Sequence, residues 1–323
     1  MSEQILNSQE SAAFRHIGTQ VKVVAKAIGA EFAAAKPYRH VAIDNFFEPG
    51  FAQALLAQFP AFDTTRALNE AGEVGGKAVV EKIRDISASY AALDDLVQST
   101  EFLMLLSELT GVADLRYDPY YFGGGTHENR GGQDLDPHVD FNRHPVENWH
   151  RRLNLIVYLN PEWQDSWGGS LEIHSDPYAS DNRIKLLTPI FNRCVIFETN
   201  EISWHGFSRI QTPETHPGLT RKSIALYFYT QDRPAEELAD THSTIYVDRP
   251  LPAFVTAGHT LTDSDAATIQ TLVARRDQHN QRLYRDLTRL QKELDAANGA
   301  LKRGRLGRLI HFARRVLARL GRN

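Results

Sequence analysis

Cysteine is almost missing from this chain: Cys194 is the one thiol in 323 residues. That excludes internal disulfides, cysteine-ligated iron–sulfur clusters and cysteine-built zinc sites. Cys194 lies in the apolar run Cys194-Val195-Ile196-Phe197, the setting of a buried structural thiol rather than a nucleophile. Long apolar runs are missing as well, and none approaches the ~20 residues of a membrane span. Met1-Ser2-Glu3-Gln4 has neither the basic nor the apolar region of a secretory signal. These absences lead to the expectation of a cytoplasmic protein, at most peripheral on the inner face of a membrane.

Acidic residues are absent from 302–323, where Lys302, Arg303, Arg305, Arg308, Arg314, Arg315, Arg319 and Arg322 stand. The rest of the chain holds 28 basic and 40 acidic residues, so body and tail differ in charge and in expected task. Within the tail Leu306, Leu309, Ile310, Ala313, Val316, Leu317 and Leu320 recur at helical spacing. A basic amphipathic helix of this kind suits an anionic membrane surface, and also docking on an acidic body. Its apolar stripe argues against a purely electrostatic nucleic-acid arm.

Hydrophobic residues make up 42% and charged residues 24%, as in a folded globular chain with one large domain and appendages. Helical spacing runs through 8–35, from Glu48-Pro49-Gly50 to Phe59-Pro60, and through 90–111. Residues 62–80 are polar and Gly-rich and read as a loop over the body. Strand-like runs then recur at 115–122, 135–141, 152–160, 169–174, 183–188, 193–198, 205–211 and 221–231, separated by Gly, Pro, Asn and Asp. Strands without intervening helices predict an antiparallel double-sheet roll. The fold class is mainly β with flanking helices (α+β): a double-stranded β-helix, or jelly roll, plus long C-terminal helices. The expected segments are a helical and strand support at 1–112, the jelly-roll core at 113–232, a connector at 233–263, a heptad helix at 264–301 and the basic tail at 302–323. In the heptad segment Ile269, Val273, Arg276, Asn280, Leu283, Leu287, Leu290, Leu294, Ala297 and Leu301 alternate steps of four and three. That seam fits either a helix packed on the body or a coiled coil joining copies of the chain.

The chemistry is carried by Asp136-Pro137-His138-Val139-Asp140-Phe141-Asn142 and the distant Trp204-His205-Gly206. Residues i and i+2 of a strand share a face, so His138 and Asp140 can grip one metal ion from one side. His205 completes a face of two histidines and one carboxylate, the donor set of non-haem Fe(II) oxygenases. His174-Ser175-Asp176 is a decoy of the same form, but only about 30 residues precede His205 from there, tight for the sheet to return across the mouth. Arg221 and Ser223 share a face on the final strand. An oxygenase of this type needs a two-electron donor, and 2-oxoglutarate serves by chelating Fe(II). Its distal carboxylate then calls for a planar bidentate partner, which Arg provides better than Lys. Lys222 is the alternative anchor on the opposite face. Asn154 and Tyr158 share a face of the central strand and could hydrogen-bond the same co-substrate. Tyr120 and Tyr121 precede a Gly-rich loop near the site, and Arg143, His144, Trp149 and His150 occupy the loop after Asp140 where a substrate could be held.

The order His-x-Asp, distant His, then Arg-x-Ser resembles the 2-oxoglutarate/Fe(II)-dependent dioxygenase superfamily, and within it the prolyl-4-hydroxylase-like branch. The runs His40-Val41-Ala42-Ile43-Asp44-Asn45-Phe46-Phe47, Arg152 to Asn160, Trp167-Gly168-Gly169-Ser170-Leu171-Glu172 and Trp204-His205-Gly206-Phe207 add to the likeness, which covers about residues 38–232. The resemblance implies His138, Asp140 and His205 as catalytic iron ligands, with Arg221 and Ser223 as the 2-oxoglutarate clamp. It implies hydroxylation by hydrogen-atom abstraction and rebound, and it allows ascorbate as a further cofactor. Halogenating relatives have Gly or Ala in place of the carboxylate, so Asp140 favours hydroxylation. The basic anchor is often Lys in prolyl hydroxylases and is Arg221 here, after a longer interval from His205. A small molecule, a glycan or a protein side chain all remain as substrate classes. Two competing readings are a cupin-like roll that binds a sugar or metal without oxygen chemistry, and a membrane-tethered assembly protein.

Overall fold

The computed structural model describes residues 12–66 and 77–303. The chain divides into two compact units, residues 1–249 and 250–323.

The first unit opens with α1 (Thr19–Val23), α2 (Ala25–Ala34), β1 (His40–Ile43) and α3 (Pro49–Ala57), the last begun by a proline whose missing N–H costs nothing in a first turn. After β2 (Ala78–Val80) come α4 (Ala88–Val97) and α5 (Thr100–Thr110). Ser87 and Ser99 cap these two helices by accepting from the N–H of Tyr90 and Phe102, and Gly111 at φ 71° ends α5 in the left-handed region. The strands that follow are β3 (Arg116–Tyr117), β4 (Gly125–Asn129), β5 (Leu135–Val139), β6 (His150–Tyr158), β7 (Leu171–His174), β8 (Ile184–Leu187), β9 (Arg193–Glu198), β10 (His205–Phe207), β11 (Arg221–Thr230) and β12 (Ile245–Tyr246).

They form two antiparallel sheets. The major sheet runs β1-β9-β6-β11-β4-β2, with β3 also on β11; the minor sheet runs β12-β5-β10-β7-β8. This is the jelly roll expected from the strand pattern. Alternation along β6 explains the layers. Leu153, Leu155 and Val157 point to one side and join Phe32, Leu93, Phe102 and Leu106 in the main apolar core with the helices. Tyr158 points to the other side and meets Leu171, Ile173 and Leu187 of the minor sheet, with Ile156 packed alongside. Covered on both faces, β6 lacks the polar–apolar alternation of a surface strand. Cys194 is buried in the helix-facing core, where burial raises its thiol pKa well above the ordinary value.

The strands are shorter than their sequence patterns at 115–122 and 205–211, and β4 occupies part of a stretch that reads as a Gly-rich loop. All five residues of β4 are buried although four of them are polar, so no apolar periodicity marks it. Gly125, at φ 86°, lies so close to Val80 that a Cβ would fall 2.1 Å from its carbonyl oxygen. The end of the expected 62–80 loop is therefore a strand, β2, paired to β4.

The second unit contains α6 (Asp263–Arg303), which begins where the heptad pattern begins. Residues 304–323, most of the basic tail, lie outside the described residues. Among those described, no helix is long and apolar enough to cross a membrane.

Candidate metal centre and anion pocket

β5 and β10 are neighbours in the minor sheet, and their register sets His138 directly opposite His205. The two imidazole centroids are 4.2 Å apart. Asp140 follows β5 at once and turns its carboxylate between them, with Oδ1 3.8 Å from His138 Nε2 and Oδ2 3.5 Å from His205 Nε2. The close strand contact depends on Gly206, where a Cβ would meet the Leu135 carbonyl oxygen at 2.6 Å.

Both histidines are oriented by their own strands. Nδ1 of His138 lies 2.9 Å from the Asp136 carbonyl, and Nδ1 of His205 lies 2.8 Å from the Ser203 carbonyl. A carbonyl only accepts, so each Nδ1 carries the proton and each Nε2 offers a lone pair to the shared space. Burial lowers the His138 pKa to about 3, aided by His205 and opposed by Asp140. Burial lowers that of His205 too. For Asp140 burial pulls upward, but the charges of Arg151, His205 and His138 and the Asn154 hydrogen bond outweigh it and hold the carboxyl below its ordinary range.

Arg151 and Asn154 are contributed by β6. Asn154 donates through Nδ2 to Asp140 Oδ2 at 2.7 Å, and its Oδ1 accepts from Arg151 Nε and Nη2. Arg151 Nη2 is 3.2 Å from the same Asp140 oxygen. The Arg151 guanidinium lies 3.7 Å from the Tyr227 ring centroid and 4.5 Å from that of Phe141. Sequence reasoning offered Asn154 as a co-substrate contact; its amide is engaged with Asp140 and Arg151 instead. Arg151 was missed, since one Arg in an Arg-Arg pair at the start of a strand carries no distinguishing signal.

Across the interior, on the major sheet, Arg221 is buried. Its Nε donates to the Gly169 carbonyl at 2.7 Å and its Nη2 to the Tyr158 hydroxyl at 3.2 Å. The guanidinium sits over the rings of Phe207 at 4.3 Å and Tyr158 at 5.0 Å. Gly169, at φ 68°, makes room: a Cβ there would meet Ile210 and Trp163 at 3.0 Å and Arg221 Cδ at 3.3 Å. Among the described residues no carboxylate pairs with Arg221, and burial works against its charge. Ser223, also buried, lies two residues on and in register with Tyr158 on one side and His127 on the other. Lys222 alternates to the other face and pairs with Glu128 at 3.1 Å, away from the guanidinium.

Two further groups stand on the inward side near Ser223. His127 of β4 has Nε2 3.2 Å from the Gly123 carbonyl and 3.4 Å from Lys77 Nζ. Burial lowers the Lys77 pKa to about 8, with the Asp140 charge opposing. Neither was found in the sequence, because β2 and β4 read there as loop.

Other candidates have structural roles. The decoy His174 is held between Glu172 Oε2 at 3.2 Å and Asn182 Nδ2 at 2.9 Å, and Asp176 accepts from the Tyr178 N–H. Tyr121 donates its hydroxyl to Asp94 and Tyr120 to Glu147. In the loop after Asp140, His144 is buried, with Nε2 3.1 Å from Asp118, and Trp149 lies under Arg116. Arg143 donates to the Asn148 carbonyl, bracing the same loop.

The donor set fits a divalent ion. The ligand atoms of His138, Asp140 and His205 lie within 4.8 Å of one another. Two neutral imidazole nitrogens and one carboxylate on a single side leave coordination positions open for other ligands. Opposite them the buried Arg221 guanidinium, with no carboxylate partner among the described residues, suits an anion.

Residues 124–229 match the 2OG-Fe(II) oxygenase superfamily. That stretch holds every residue of the triad and both Arg221 and Ser223. The chain is 30% identical over 134 residues to prolyl 3-hydroxylase OGFOD1 of Mus musculus, covering 38% of this chain and 23% of that protein. It is 34% identical over 92 residues to the Xenopus laevis protein of the same name, covering 27% and 17%. The match thus spans less than a quarter of either relative. Among solved structures, a prolyl hydroxylase from Trichoplax adhaerens, in complex with a hypoxia inducible factor peptide fragment, aligns with TM-score 0.45 at 16% identity, covering 67% of this chain and 94% of that one.

Proposed function

We propose that this chain, whose residues 124–229 belong to the 2OG-Fe(II) oxygenase superfamily, is an Fe(II)- and 2-oxoglutarate-dependent hydroxylase. His138, Asp140 and His205 would hold the iron, and Arg221 with Ser223 and Tyr158 would hold the distal carboxylate of 2-oxoglutarate. Bound there, the pair supplies the oxidant that puts one atom of O2 into a C–H bond, while 2-oxoglutarate becomes succinate and carbon dioxide.

The chain's own residues do the rest. The two Nδ1–H groups fix the tautomers, so each imidazole presents its lone pair without prior loss of a proton. Arg151 and Asn154 hold Asp140 ionised and fix the direction of its Oδ2, the oxygen nearer His205. Phe207 and Tyr158 keep water from the Arg221 guanidinium, which strengthens its attraction for a carboxylate.

One observation carries the reading: Arg221 is a buried cation with no carboxylate partner among the described residues, on the sheet facing the triad. A roll that only bound a sugar or a metal would gain nothing from it. Names borne by the relatives make a prolyl residue of a protein or peptide the first substrate class to try. The test is equilibrium binding of 2-oxoglutarate to the Fe(II)-loaded chain without oxygen, followed by succinate release on adding oxygen. Failure to bind 2-oxoglutarate would overturn the proposal.

A further inference from the structure

α6 spans 41 residues, about 60 Å of helix at 1.5 Å per residue. Its seam from Ile269 onward advances by alternating steps of four and three, a period of 3.5. On a straight helix of 3.6 residues per turn such a seam drifts by about 20° per heptad. It stays on one side only when two like helices wind around each other to the left. A helix that lies on a globular body has a wider apolar face. Here the seam is narrow, because Asp286, Gln291 and Glu293 flank the leucines. The seam also faces solvent, with Leu283, Leu287, Leu290 and Leu294 between 54% and 64% exposed.

We propose that α6 pairs with α6 of a second copy of this chain as a parallel, in-register coiled coil. In heptad terms Leu283 and Leu290 take d positions, while Asn280, Leu287 and Leu294 take a positions. A lone Asn at a finds its twin across the axis only when both helices run the same way, and it specifies that pairing at some cost in stability. Reversing one helix sets a against d, which takes Asn280 from its twin. In the reversed register that stacks the four leucines, Asp286 would lie beside Glu293 of the other copy. In the parallel register Arg276, at the preceding d position, would meet its own twin, so the proposed pairing runs from Asn280 onward; there Asp286 meets Gln291 and Glu293 meets Asn298, with no like charges opposed. From Asn280 onward, charge and polarity thus favour the same arrangement.

The experiment uses the full chain. Sedimentation velocity at micromolar concentration should give a dimer, and the double substitution Leu287→Glu with Leu290→Glu should give a monomer. These side chains are exposed in the single chain, so folding of the variant is checked by an unchanged circular dichroism spectrum from the β-rich unit. For direction, Leu287→Cys should form a disulfide-linked dimer on mild oxidation, since the native Cys194 is buried. A monomeric parent, a dimer that survives both glutamates, or a cross-link that forms only between mixed Leu287→Cys and Leu290→Cys chains would overturn the proposal.

Discussion

Asn154 donates its side-chain amide to Oδ2 of Asp140 across 2.7 Å, joining the central strand of the major sheet to the carboxylate that follows β5. The contact crosses the interior of the roll. It makes the direction of one metal-ligand oxygen a property of both sheets.

Replacing Asn154 by Ala, or Arg151 by Met, should therefore weaken metal binding while leaving all three ligands in place. Supporting contacts of this kind are worth about 10–100-fold in affinity. Competition with a chelator of known affinity measures it, and an unchanged constant would show that Asp140 is oriented by other means.

Asp140→Ala removes the carboxylate itself. The expected result is loss of Fe(II)-dependent succinate formation, and His138→Ala should behave alike. Full turnover in either variant would remove these residues from the metal site.

Arg221→Gln should spare metal affinity and raise the 2-oxoglutarate dissociation constant. Breaking a buried charge pair costs roughly 2–5 kcal/mol, or about 30-fold and more. Titration of both variant and parent with 2-oxoglutarate reads the difference directly.

pH offers a separate check on the metal-free protein. Burial lowers the pKa of His138 to about 3, so it is neutral in the fold at pH 5, where an unfolded chain protonates its histidines, and burial shifts His205 in the same direction. The unfolded state then binds more protons. Stability from these groups is present above pH about 6.5 and falls as pH drops toward 3. The urea midpoint should fall between pH 7 and pH 5, and His138→Gln should lessen that fall. A midpoint that rises on acidification would contradict the assigned environment.

Gly169→Ala tests the pocket wall. A methyl group at a φ of 68°, with Ile210 and Trp163 at 3.0 Å, should cost about 1–3 kcal/mol of stability. It should also displace Arg221, weakening 2-oxoglutarate binding more than metal binding.

Much of this was legible in the residues. The spacing of His138, Asp140 and His205 is local to two strands, and the alternation of Arg221, Lys222 and Ser223 assigns their faces from strand geometry alone. What sequence could not show is which polar residues the fold spends on one another. Asn154 reads as a free ligand contact until Arg151 and Asp140 are seen to share it. The sequence sets His174 aside only by its short interval to His205; the fold adds Glu172 and Asn182 closing around it. β4 is silent because its strand is defined by pairing to β2 and β11, not by an apolar pattern of its own. Lys77 is invisible for the same reason, since only that pairing brings it to His127.

The proposed iron ligands belong to the minor sheet and Arg221 to the major one. Facing sheets are held about 10 Å apart by the bulk of the side chains between them. Tyr158, Leu171, Ile173 and Phe197 are those side chains here, so on the proposed function the apolar cluster would act as a caliper for the distance between the iron ligands and the guanidinium. A keto acid one carbon shorter or longer than 2-oxoglutarate would then be rejected by length rather than by charge. Trimming Leu171 or Ile173, the cross-strand neighbours of Phe207 and His205, should loosen that discrimination.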